Sequence, residues 1–435
     1  MPASMTIRQA EDWLAQRQLF TIKLGLDRTR NLLAELGNPQ DRLQIIHIAG
    51  TNGKGSVGAS LLALLSAAGF RTGFYSSPHL ADVRERFRID DRLISEADFA
   101  TLVARLAALT GSRDHQPTYF ECTTLLALMW FAEQKVDAAI LETGMGGRLD
   151  ATNVVRPRVA IITDISRDHE QHLGPTIAAI AGEKAGIVKA KVPTVFSGRA
   201  SEAVAVIEAR CQQLHSPLSL FGRDFFAQAA APGTFDYQGP TGTKLGALPL
   251  MLQGAHQVVN AGVALAALEL LAPVFPVSPE AIAIGLRQVR WPCRMEVLAV
   301  RHRDKNLRVL LDGAHNEAGV AALAQGLRAG YPGCRLLLIW GNMADKHMGQ
   351  PLLDLLALAN AVMLTRTESP RFAEPQMLYA GLPPAIRDRT DWCETVEQAL
   401  DRMLARAEPD DLVCVAGSLY LAGRVRRILT GGPAA

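Results

Sequence analysis

The sequence predicts two α/β domains joined by a short linker, and three observations support this. The chain has 435 residues, which is too many for one ordinary hydrophobic core. Through the first half, short apolar runs alternate with helical patterns, as expected for a parallel sheet with helices between its strands. The same alternation restarts in the last third of the chain. We therefore expect a first domain over residues 1–290, a linker over 291–297 and a smaller second domain over 298–435.

The first domain contains a regular series of strands and helices. Residues 43–49 are apolar and are followed by a glycine-rich turn and a helix. Further strands are predicted at 72–77, 137–142, 159–165 and 193–196, and further helices from Thr118, from about residue 200, over 256–271 and over 278–289. Residues 216–253 differ, because proline and glycine recur there at short intervals. That pattern predicts a β-rich excursion at the edge of the domain.

The linker is centred on Trp291, Pro292, Cys293 and Arg294, because proline ends the preceding helix. Beyond it, apolar runs predict strands at 308–313, 335–341, 361–365 and 411–418, with helices between them and after the last. This is the pattern of a second, smaller α/β domain.

Composition excludes several classes of protein. The formal net charge is only +2, so no bulk electrostatic attraction to nucleic acid or to an anionic membrane is predicted. The six cysteines are dispersed and form no CxxC pair, which argues against a disulfide framework or a structural zinc site and fits a reducing compartment. The sequence has neither a secretory signal nor an apolar run long enough to span a membrane. We expect a soluble, cytoplasmic protein without nucleic-acid or membrane partners.

A glycine-rich loop follows the first strand directly. Its residues are Gly50, Thr51, Asn52, Gly53, Lys54, Gly55 and Ser56, and a helix begins there. In such a loop, backbone N–H groups curl around phosphate oxygens, the helix N-terminus adds positive potential and a lysine reaches the terminal phosphates. The match to the common phosphate-loop pattern is imperfect, because Gly55 stands where Ser or Thr should follow the lysine. The alternative is a glycine-rich turn with a solvated lysine.

Three polar segments end predicted strands at the edge of the sheet where ligands bind in parallel α/β folds. They contain Ser77, Glu142 and the run from Asp164 to His169. A hydroxyl and a carboxylate are oxygen ligands, which Mg²⁺ prefers. For Ser77 the alternative is a capped turn, for Glu142 a surface residue in a glycine loop, and for His169 a structural role.

Thr118 and Glu121 form a capping-box pattern before an apolar helix. A purely structural role is the alternative for Glu121, because its side chain would bond the N-cap amide. The adjacent Tyr119 and Phe120 fit either a core position or a surface on which a planar ring stacks.

Taken together, these motifs resemble those of a known family. They occur in order as TNGKGS at 51–56, YSSPHL at 75–80, TYFE at 118–121, LETGMGGRLDATN at 141–153, DH at 168–169, EKAGI at 183–187 and LDGAHN at 311–316. The set is similar to that of the folylpolyglutamate synthase/dihydrofolate synthase family, within the Mur-ligase-like superfamily. The resemblance implies an N-terminal P-loop ATPase domain, a C-terminal Rossmann-like domain and an active site between them.

The resemblance also implies roles for individual residues. ATP would be bound by Thr51, Asn52, Gly53, Lys54, Gly55, Ser56, Asn260, Arg294 and Asp312. Magnesium would be held by Ser77, Glu142 and His169, and the pterin site would be lined by Thr118, Tyr119, Phe120, Glu121, Leu149, Asp150 and Ala151. Lys184 matches a lysine that is carbamylated in the superfamily and helps to hold a second Mg²⁺, although pairing with Glu183 is the alternative. Lys54, His169, Lys184 and His315 would take part in catalysis.

The implied function is ATP-dependent ligation by a monomer. The enzyme would be bifunctional and would join L-glutamate both to dihydropteroate and to the glutamate tail of reduced folates, through an acyl phosphate. Three alternatives remain. The enzyme could extend folates only. It could be a muramyl-peptide ligase, although about 50 residues before the loop are too few for the extra domain of those enzymes. It could be an ATP-binding regulatory protein without ligase activity.

Overall fold

The structure is a computed structural model that describes residues 5–19, 25–111, 116–198, 200–344, 349–367 and 372–432. Within these ranges the α-helices are α1 Ile7–Ala15, α2 Asp27–Glu35, α3 Lys54–Ala67, α4 Glu96–Thr110, α5 Tyr119–Glu133, α6 Glu170–Leu173, α7 Ile177–Lys184, α8 Ser201–Gln213, α9 Ala255–Leu271, α10 Pro279–Gln288, α11 Glu317–Gly330, α12 Gly349–Leu358, α13 Pro375–Ala380, α14 Pro384–Arg387, α15 Val396–Arg406 and α16 Leu419–Thr430.

The strands of the described residues fall into three sheets. They are β1 Ile45–Ala49, β2 Thr72–Tyr75, β3 Phe87–Ile89, β4 Arg92–Leu93, β5 Ala138–Glu142, β6 Val159–Ile162, β7 Thr194–Phe196, β8 Leu218–Leu220, β9 Phe226–Ala229, β10 Thr234–Gln238, β11 Lys244–Pro249, β12 Glu296–His302, β13 Lys305–Leu311, β14 Leu336–Trp340, β15 Ala361–Leu364, β16 Thr390–Trp392 and β17 Leu412–Ala416.

The first sheet is centred on β1 and has the order β4-β3-β2-β5-β1-β6-β7-β8. β1 pairs in parallel with both β5 and β6, with Ile48 opposite Glu142 on one side and Ile161 on the other. Because parallel neighbours run in the same direction, the loops after β1, β2, β5 and β6 meet at one edge. This confirms the predicted parallel sheet and puts the polar segments together.

Helices cover both faces of this sheet, which explains why its central strands are mostly apolar. On one face, α3, α9 and α10 pack against Ile46 and Ile48 of β1. On the other face, α1, α4 and α5 enclose a core that includes Ile45 and Leu141. The capping box predicted at the start of α5 is present, with Thr118 and Glu121 bonded reciprocally.

Two features of the first domain differ from the sequence prediction. The β-rich excursion is confirmed as the antiparallel sheet β11-β10-β9, but residues 218–220 do not belong to it. They form β8, which pairs in parallel with β7 and extends the main sheet. The antiparallel edge strands β3 and β4 carried no recognised sequence signal, because three and two residues are too few to show a period.

The second sheet has the order β12-β13-β17-β14-β15-β16. Its strands are parallel except for β12, which forms an antiparallel hairpin with β13. The first residue of β12, Glu296, lies inside the proposed linker. The predicted α/β class is therefore confirmed, with an eight-stranded mixed sheet followed by a smaller six-stranded one. None of the described helices is long and apolar enough to cross a membrane.

The contact between α10 and α3 depends on Gly285, and we predict that Gly285→Ala destabilises the fold by about 1–3 kcal/mol. A methyl group there would lie 2.8 Å from the Leu64 Cα and 2.9 Å from the Ala63 carbonyl oxygen, so backbone would have to move. Urea unfolding checks this. Gly182→Ala in α7 is the control, because it meets no atom within 4 Å and should be neutral or stabilising. Equal stability of the two variants would contradict the prediction.

His47 of β1 gives a second prediction, on acid stability. Burial lowers the pKa of His47 from 6.5 to about 3, and its Nε2 lies 2.8 Å from the Thr152 hydroxyl. The unfolded chain therefore binds a proton first as pH falls, so stability is lost between pH 6.5 and 3. His47→Gln should reduce the slope of the unfolding free energy plotted against pH by up to about 1.4 kcal/mol per pH unit. Urea unfolding of both proteins from pH 7 to pH 4.5 measures this, and parallel curves would refute it.

Candidate active site

Loops from the two large sheets meet around a cavity of about 240 Å³. The first sheet contributes the loops after β1, β2, β5 and β6, and the second contributes the loop after β13. Of the residues predicted from the sequence, those that line it are Thr51, Asn52, Gly53, Lys54, Gly55, Ser56, Ser77, Glu142, His169, Lys184, Asn260, Arg294, Asp312 and His315. The structure thus brings together every predicted nucleotide, metal and catalytic residue.

The phosphate loop is tied to the segment after β6. The Thr51 amide donates to the Asp164 carbonyl at 2.7 Å, and the Thr51 hydroxyl donates to the Ser166 carbonyl at 3.0 Å. Lys54 begins α3, and its Nζ donates to the carbonyls of Gly50 and Thr51 at 3.0 and 3.1 Å. The N-terminus of α3 therefore faces the cavity with a cation beside it, which is an arrangement suited to a phosphate.

Two glycines of the loop are required by close neighbours. Gly53 has φ of 92°, and a Cβ there would lie 2.6 Å from the Asn260 Oδ1. A Cβ at Gly55 would lie 2.6 Å from the Trp291 indole nitrogen. The indole therefore explains why glycine replaces the Ser or Thr of the common phosphate-loop pattern: the linker packs where that side chain would stand.

Lys184 is buried beside the loop, with only 3% of its surface exposed. Its Nζ donates to the Gly50 carbonyl at 2.8 Å. Burial, reinforced by the charge of Lys54, lowers the pKa of Lys184 to about 7. Glu183 instead pairs with Arg148 at 2.8 Å, so the structure does not support the alternative in which Lys184 pairs with Glu183.

Glu142 ends β5 at the cavity and is only 4% exposed. Burial raises the pKa of this carboxyl to about 7, while the charges of Lys54 and Arg294 and a hydrogen bond from the Ser77 amide act in the opposite direction. That amide lies 3.4 Å from the Glu142 Oε2. His169 lines the same cavity from a left-handed backbone conformation, with φ of 52°. Ser77 and Glu142 supply oxygen donors, and His169 supplies a nitrogen.

The metal ligands predicted from the sequence combine the Ser77 hydroxyl with the Glu142 carboxylate and the His169 imidazole. Within the described ranges, no three His, Cys, Asp or Glu side chains form a metal-binding cluster. Mg²⁺ keeps several of its waters and needs only one or two carboxylates from the protein. The donor set of Ser77 and Glu142 therefore fits this ion.

Asp312 joins the linker to the second sheet. Its carboxylate accepts hydrogen bonds from the amides of Met295 and Ala314, each at 2.8 Å. Burial raises the pKa of Asp312 against the opposing charge of Arg294. Cys293 and Met295 both have positive φ, of 56° and 49°, and this tight backbone carries Arg294 at the cavity wall.

His315 lies in the same loop. Its Nδ1 donates to the Gly313 carbonyl at 2.8 Å, because a carbonyl can only accept. Its Nε2 lies 3.8 Å from the Asp168 Oδ2. The imidazole therefore reaches from the second domain to the segment that carries His169.

The predicted pterin residues lie outside the lining of this cavity. Thr118 and Glu121 are engaged in the capping box, and Glu121 also pairs with Arg28 at 3.0 Å. Phe120 packs on Gly144, where a Cβ would lie 2.7 Å from its ring. Tyr119 lines a second cavity of about 540 Å³, together with His79, Arg84 and Arg427 among others.

Asp150 organises the glycine loop after β5. Its Oδ2 accepts hydrogen bonds from the amides of Gly144 and Met145 at 2.9 and 3.1 Å. Leu149 and Ala151 flank it, and Ala151 is buried. The positions of these residues support a loop-shaping role, and none of them lines either cavity.

Sequence reasoning missed two cavity residues at the start of α9. His256 and Gln257 line the cavity, and the Gln257 Oε1 accepts a hydrogen bond from the Asn260 Nδ2 at 2.9 Å. Burial lowers the pKa of His256 to about 4. The sequence signal that could have identified Gln257 was its spacing from Asn260, because residues three apart lie on one face of a helix.

Close packing at Gly53 leads to a prediction for nucleotide binding. Gly53→Ala should weaken ADP binding at least tenfold, because the methyl group displaces Asn260 from the loop. Gly69→Ala is the matched control. Its φ of 89° imposes similar strain, but nothing lies within 4 Å. Isothermal titration calorimetry with ADP measures both, and equal losses of affinity would mean that backbone strain alone is responsible.

Comparison with known proteins identifies the family. A model described as "Mur ligase middle domain" matches residues 48–268, and one described as "Mur ligase, glutamate ligase domain" matches residues 293–419. A Bacillus subtilis protein named dihydrofolate synthase/folylpolyglutamate synthase is 33% identical over 97% of this chain and 99% of its own length.

Solved structures agree. Mycobacterium tuberculosis folylpolyglutamate synthase complexed with ADP and AMPPCP superposes with a TM-score of 0.89 at 33% identity, covering 98% of this chain and 99% of that one. Escherichia coli FolC in complex with DHPP and ADP has a TM-score of 0.88 at 30% identity, covering 99% of each chain. The resemblance and the Mur-ligase-like fold inferred from the sequence are therefore confirmed. This chain belongs to the dihydrofolate synthase/folylpolyglutamate synthase family of Mur ligases.

Proposed function

We propose that this protein is an ATP-dependent ligase that adds L-glutamate to dihydropteroate and to the glutamate tail of reduced folates. One observation carries the proposal: a phosphate loop with a buried carboxylate beside it faces a loop of the second domain across a single cavity. Relatives that match 97% and 94% of the chain are named for both reactions.

The nucleotide would lie along the start of α3. In this proposal the phosphates are held by Thr51, Asn52, Gly53, Lys54, Gly55 and Ser56. Asn260, Arg294 and Asp312 also contact the nucleotide. Two relatives form complexes with ADP, which supports nucleotide binding by this protein. The second domain would complete the site from the opposite side. Arg294 of the linker lies at the cavity wall between the two domains.

Magnesium would be held by Ser77, Glu142 and His169, and it would supply positive charge to the phosphoryl oxygens. Glu142 is suited to this because a buried carboxylate is stabilised by a cation beside it. Lys54 and the loop amides supply further positive potential in the same cavity.

Lys184 would carry a carbamate. Its pKa of about 7 leaves much of the amine neutral near neutral pH, and the neutral form is the one that reacts with CO₂. The nitrogen forms a bond to carbon, a proton is released and a carboxylate results. That carboxylate would help to hold a second Mg²⁺ and would replace a buried cation next to Lys54 with an anion.

The reaction would proceed in two steps. The carboxylate of the pterin substrate attacks the γ-phosphorus of ATP, ADP leaves and an acyl phosphate forms. The deprotonated amine of L-glutamate then attacks the acyl carbon, and phosphate leaves as the amide forms. Lys54, the loop amides and His315 would stabilise charge on the phosphoryl oxygens. A site between two domains excludes the water that would hydrolyse the acyl phosphate.

The pterin end of the substrate would occupy the second, larger cavity. Pro78 lines the smaller cavity, and its neighbour His79 lines the larger one, so the two are adjacent along this segment. Tyr119 offers an aromatic face there, with Arg86 5.3 Å from its ring centre. Phe120, Leu149, Asp150 and Ala151 would shape the wall between the phosphate loop and this cavity.

Glutamate would be delivered by the second domain, since the family description of residues 293–419 is a glutamate ligase domain. We propose domain boundaries at 1–290 and 298–435 with the linker between them. A single chain supplies the whole cavity, so a monomer is the proposed working unit.

The deciding experiment measures ADP release with ATP, Mg²⁺ and L-glutamate, adding either dihydropteroate or a reduced folate. Release with both substrates is the expected outcome. Release with folate alone would reduce the assignment to folate extension. A lack of release with either, in protein that binds ATP, would refute ligase activity and favour a regulatory protein.

Lys54→Ala tests the role of the phosphate loop. Removing this cation should lower kcat about 100-fold or more, because it acts on charge that develops in the transition state. Lys244→Ala is the control, since this lysine is exposed on the small antiparallel sheet, and it should leave kcat unchanged. Equal activity of the two variants would remove Lys54 from the mechanism.

A further inference from the structure

Asn316 connects the two domains through its side chain. It is the N-cap of α11, and its Oδ1 accepts a hydrogen bond from the Gly319 amide at 2.8 Å. Its Nδ2 donates to the Asn52 Oδ1 and to the Asp168 Oδ2, each at 3.1 Å. The residue is only 5% exposed. One amide group of the second domain thus contacts both the phosphate loop and the segment after β6.

Both partners of Asn316 support residues of the active site. The Asn52 Nδ2 donates to the Ser166 hydroxyl at 3.1 Å, which holds the phosphate loop against the segment after β6. The Asp168 Oδ1 accepts a hydrogen bond from the His169 amide at 2.8 Å and so fixes the backbone at the proposed magnesium ligand. Movement of Asn316 would therefore disturb the phosphate loop and His169 together.

Helix capping alone does not require asparagine here. Asp, Asn and Ser cap helices about equally well. Contact with Asp168 and with the Asn52 oxygen, however, requires a donor, and contact with the Gly319 amide requires an acceptor. A side-chain amide offers two N–H donors and an acceptor at once, whereas a Ser hydroxyl has only one donor.

We infer that Asn316 is a positioning residue that couples closure of the second domain to the geometry of the phosphate loop and His169. When the domains are closed, its amide bridges Asn52 and Asp168. When the second domain moves away, these two hydrogen bonds are lost because α11 carries the amide with it, and so is the 3.4 Å hydrogen bond from the Asn52 Nδ2 to the Asn316 Oδ1. The role in turnover rests on the proposed ligase function, whereas the role in closure does not.

The test separates this contact from capping. Asn316→Asp keeps the acceptor for Gly319 but directs a second carboxylate oxygen at Asp168, so the two domains should repel each other at this point. We expect kcat to fall at least tenfold, within the range of typical coupling between sites. ADP affinity by calorimetry should change less than about threefold, since the loop amides remain. The thermal midpoint should stay within about 2 °C because the cap is kept.

A second variant restores the contact with its polarity reversed. In the double variant Asn316→Asp/Asp168→Asn, the new amide at position 168 can donate to the new carboxylate at position 316. We expect kcat to recover at least threefold over Asn316→Asp. Thr395→Ala is the control for capping, because Thr395 caps α15 through the Gln398 amide and does not line the active-site cavity. It should lower the thermal midpoint but not kcat.

Small-angle X-ray scattering tests closure independently of turnover. With a non-hydrolysable ATP analogue bound, Asn316→Asp should have a larger radius of gyration than the wild type, and the double variant should return towards the wild-type value. The inference would be overturned if Asn316→Asp had the kcat and the radius of gyration of the wild type. It would also be overturned if the double variant had the same kcat and radius of gyration as Asn316→Asp. If wild-type protein releases no glutamate-dependent ADP, the ligase proposal fails, and scattering alone decides the role of Asn316 in closure.

Discussion

The active site depends on the dense packing around the phosphate loop. Side chains from four separate segments meet it: Thr163 after β6, Lys184 at the end of α7, Asn260 in α9 and Trp291 in the linker. Each occupies space that a side chain at one of the loop glycines would need, or bonds a carbonyl of the loop. Such packing leaves little freedom to the backbone, so the conformation of the loop is fixed before any ligand arrives. This is the preorganisation that electrostatic catalysis requires.

The same packing buries ionisable side chains whose charged forms are poorly solvated. Glu142 and Asp312 are carboxylates buried at the cavity, and burial raises the pKa of each. Lys184 is an amine buried beside Lys54, and burial lowers its pKa. Each group would be costly to ionise in isolation, because charge is poorly solvated there. A cluster of this kind is typical of a functional site, since a bound polyanion and its cations would supply the missing counter-charges.

The two domains complement one another across the cavity. The first supplies the phosphate loop and the acidic end of β5, while the second supplies the loop after β13, with His315 and the N-cap of α11. Asp312 holds that loop to the linker through the Met295 amide, and its other carboxylate oxygen bonds the Ala314 amide within the loop. The position of Arg294 is consequently tied to the orientation of the second domain. Chemistry that forms a water-sensitive intermediate benefits from such an arrangement, because the site is complete only when the domains are together.

Much of the fold could be predicted because local patterns determine it. The apolar run before Gly50 and the glycines after it specify a strand, a turn and a helix within about 25 residues, and the Thr118–Glu121 pair specifies its own cap. Short edge strands such as β3 and β4 could not be predicted, because they contain too few residues to show the alternation of a strand. They are strands only because they pair with neighbouring strands. Leu218–Leu220 was assigned to the wrong sheet for the same reason: nothing local distinguishes pairing with β7 from pairing with β9.

The sequence by itself determined the family, the α/β class and the chemical types gathered at the site, since motifs and periods are properties of neighbouring residues. Only the tertiary structure decided which groups are buried, which oxygen each amide faces and which residues meet across the domains. Asn316 illustrates the difference. In the sequence it is only the last residue of the LDGAHN motif, whereas its contacts with Asn52 and Asp168 span 264 and 148 residues. Contacts over such distances arise from the folding of the whole chain, and no local pattern encodes them.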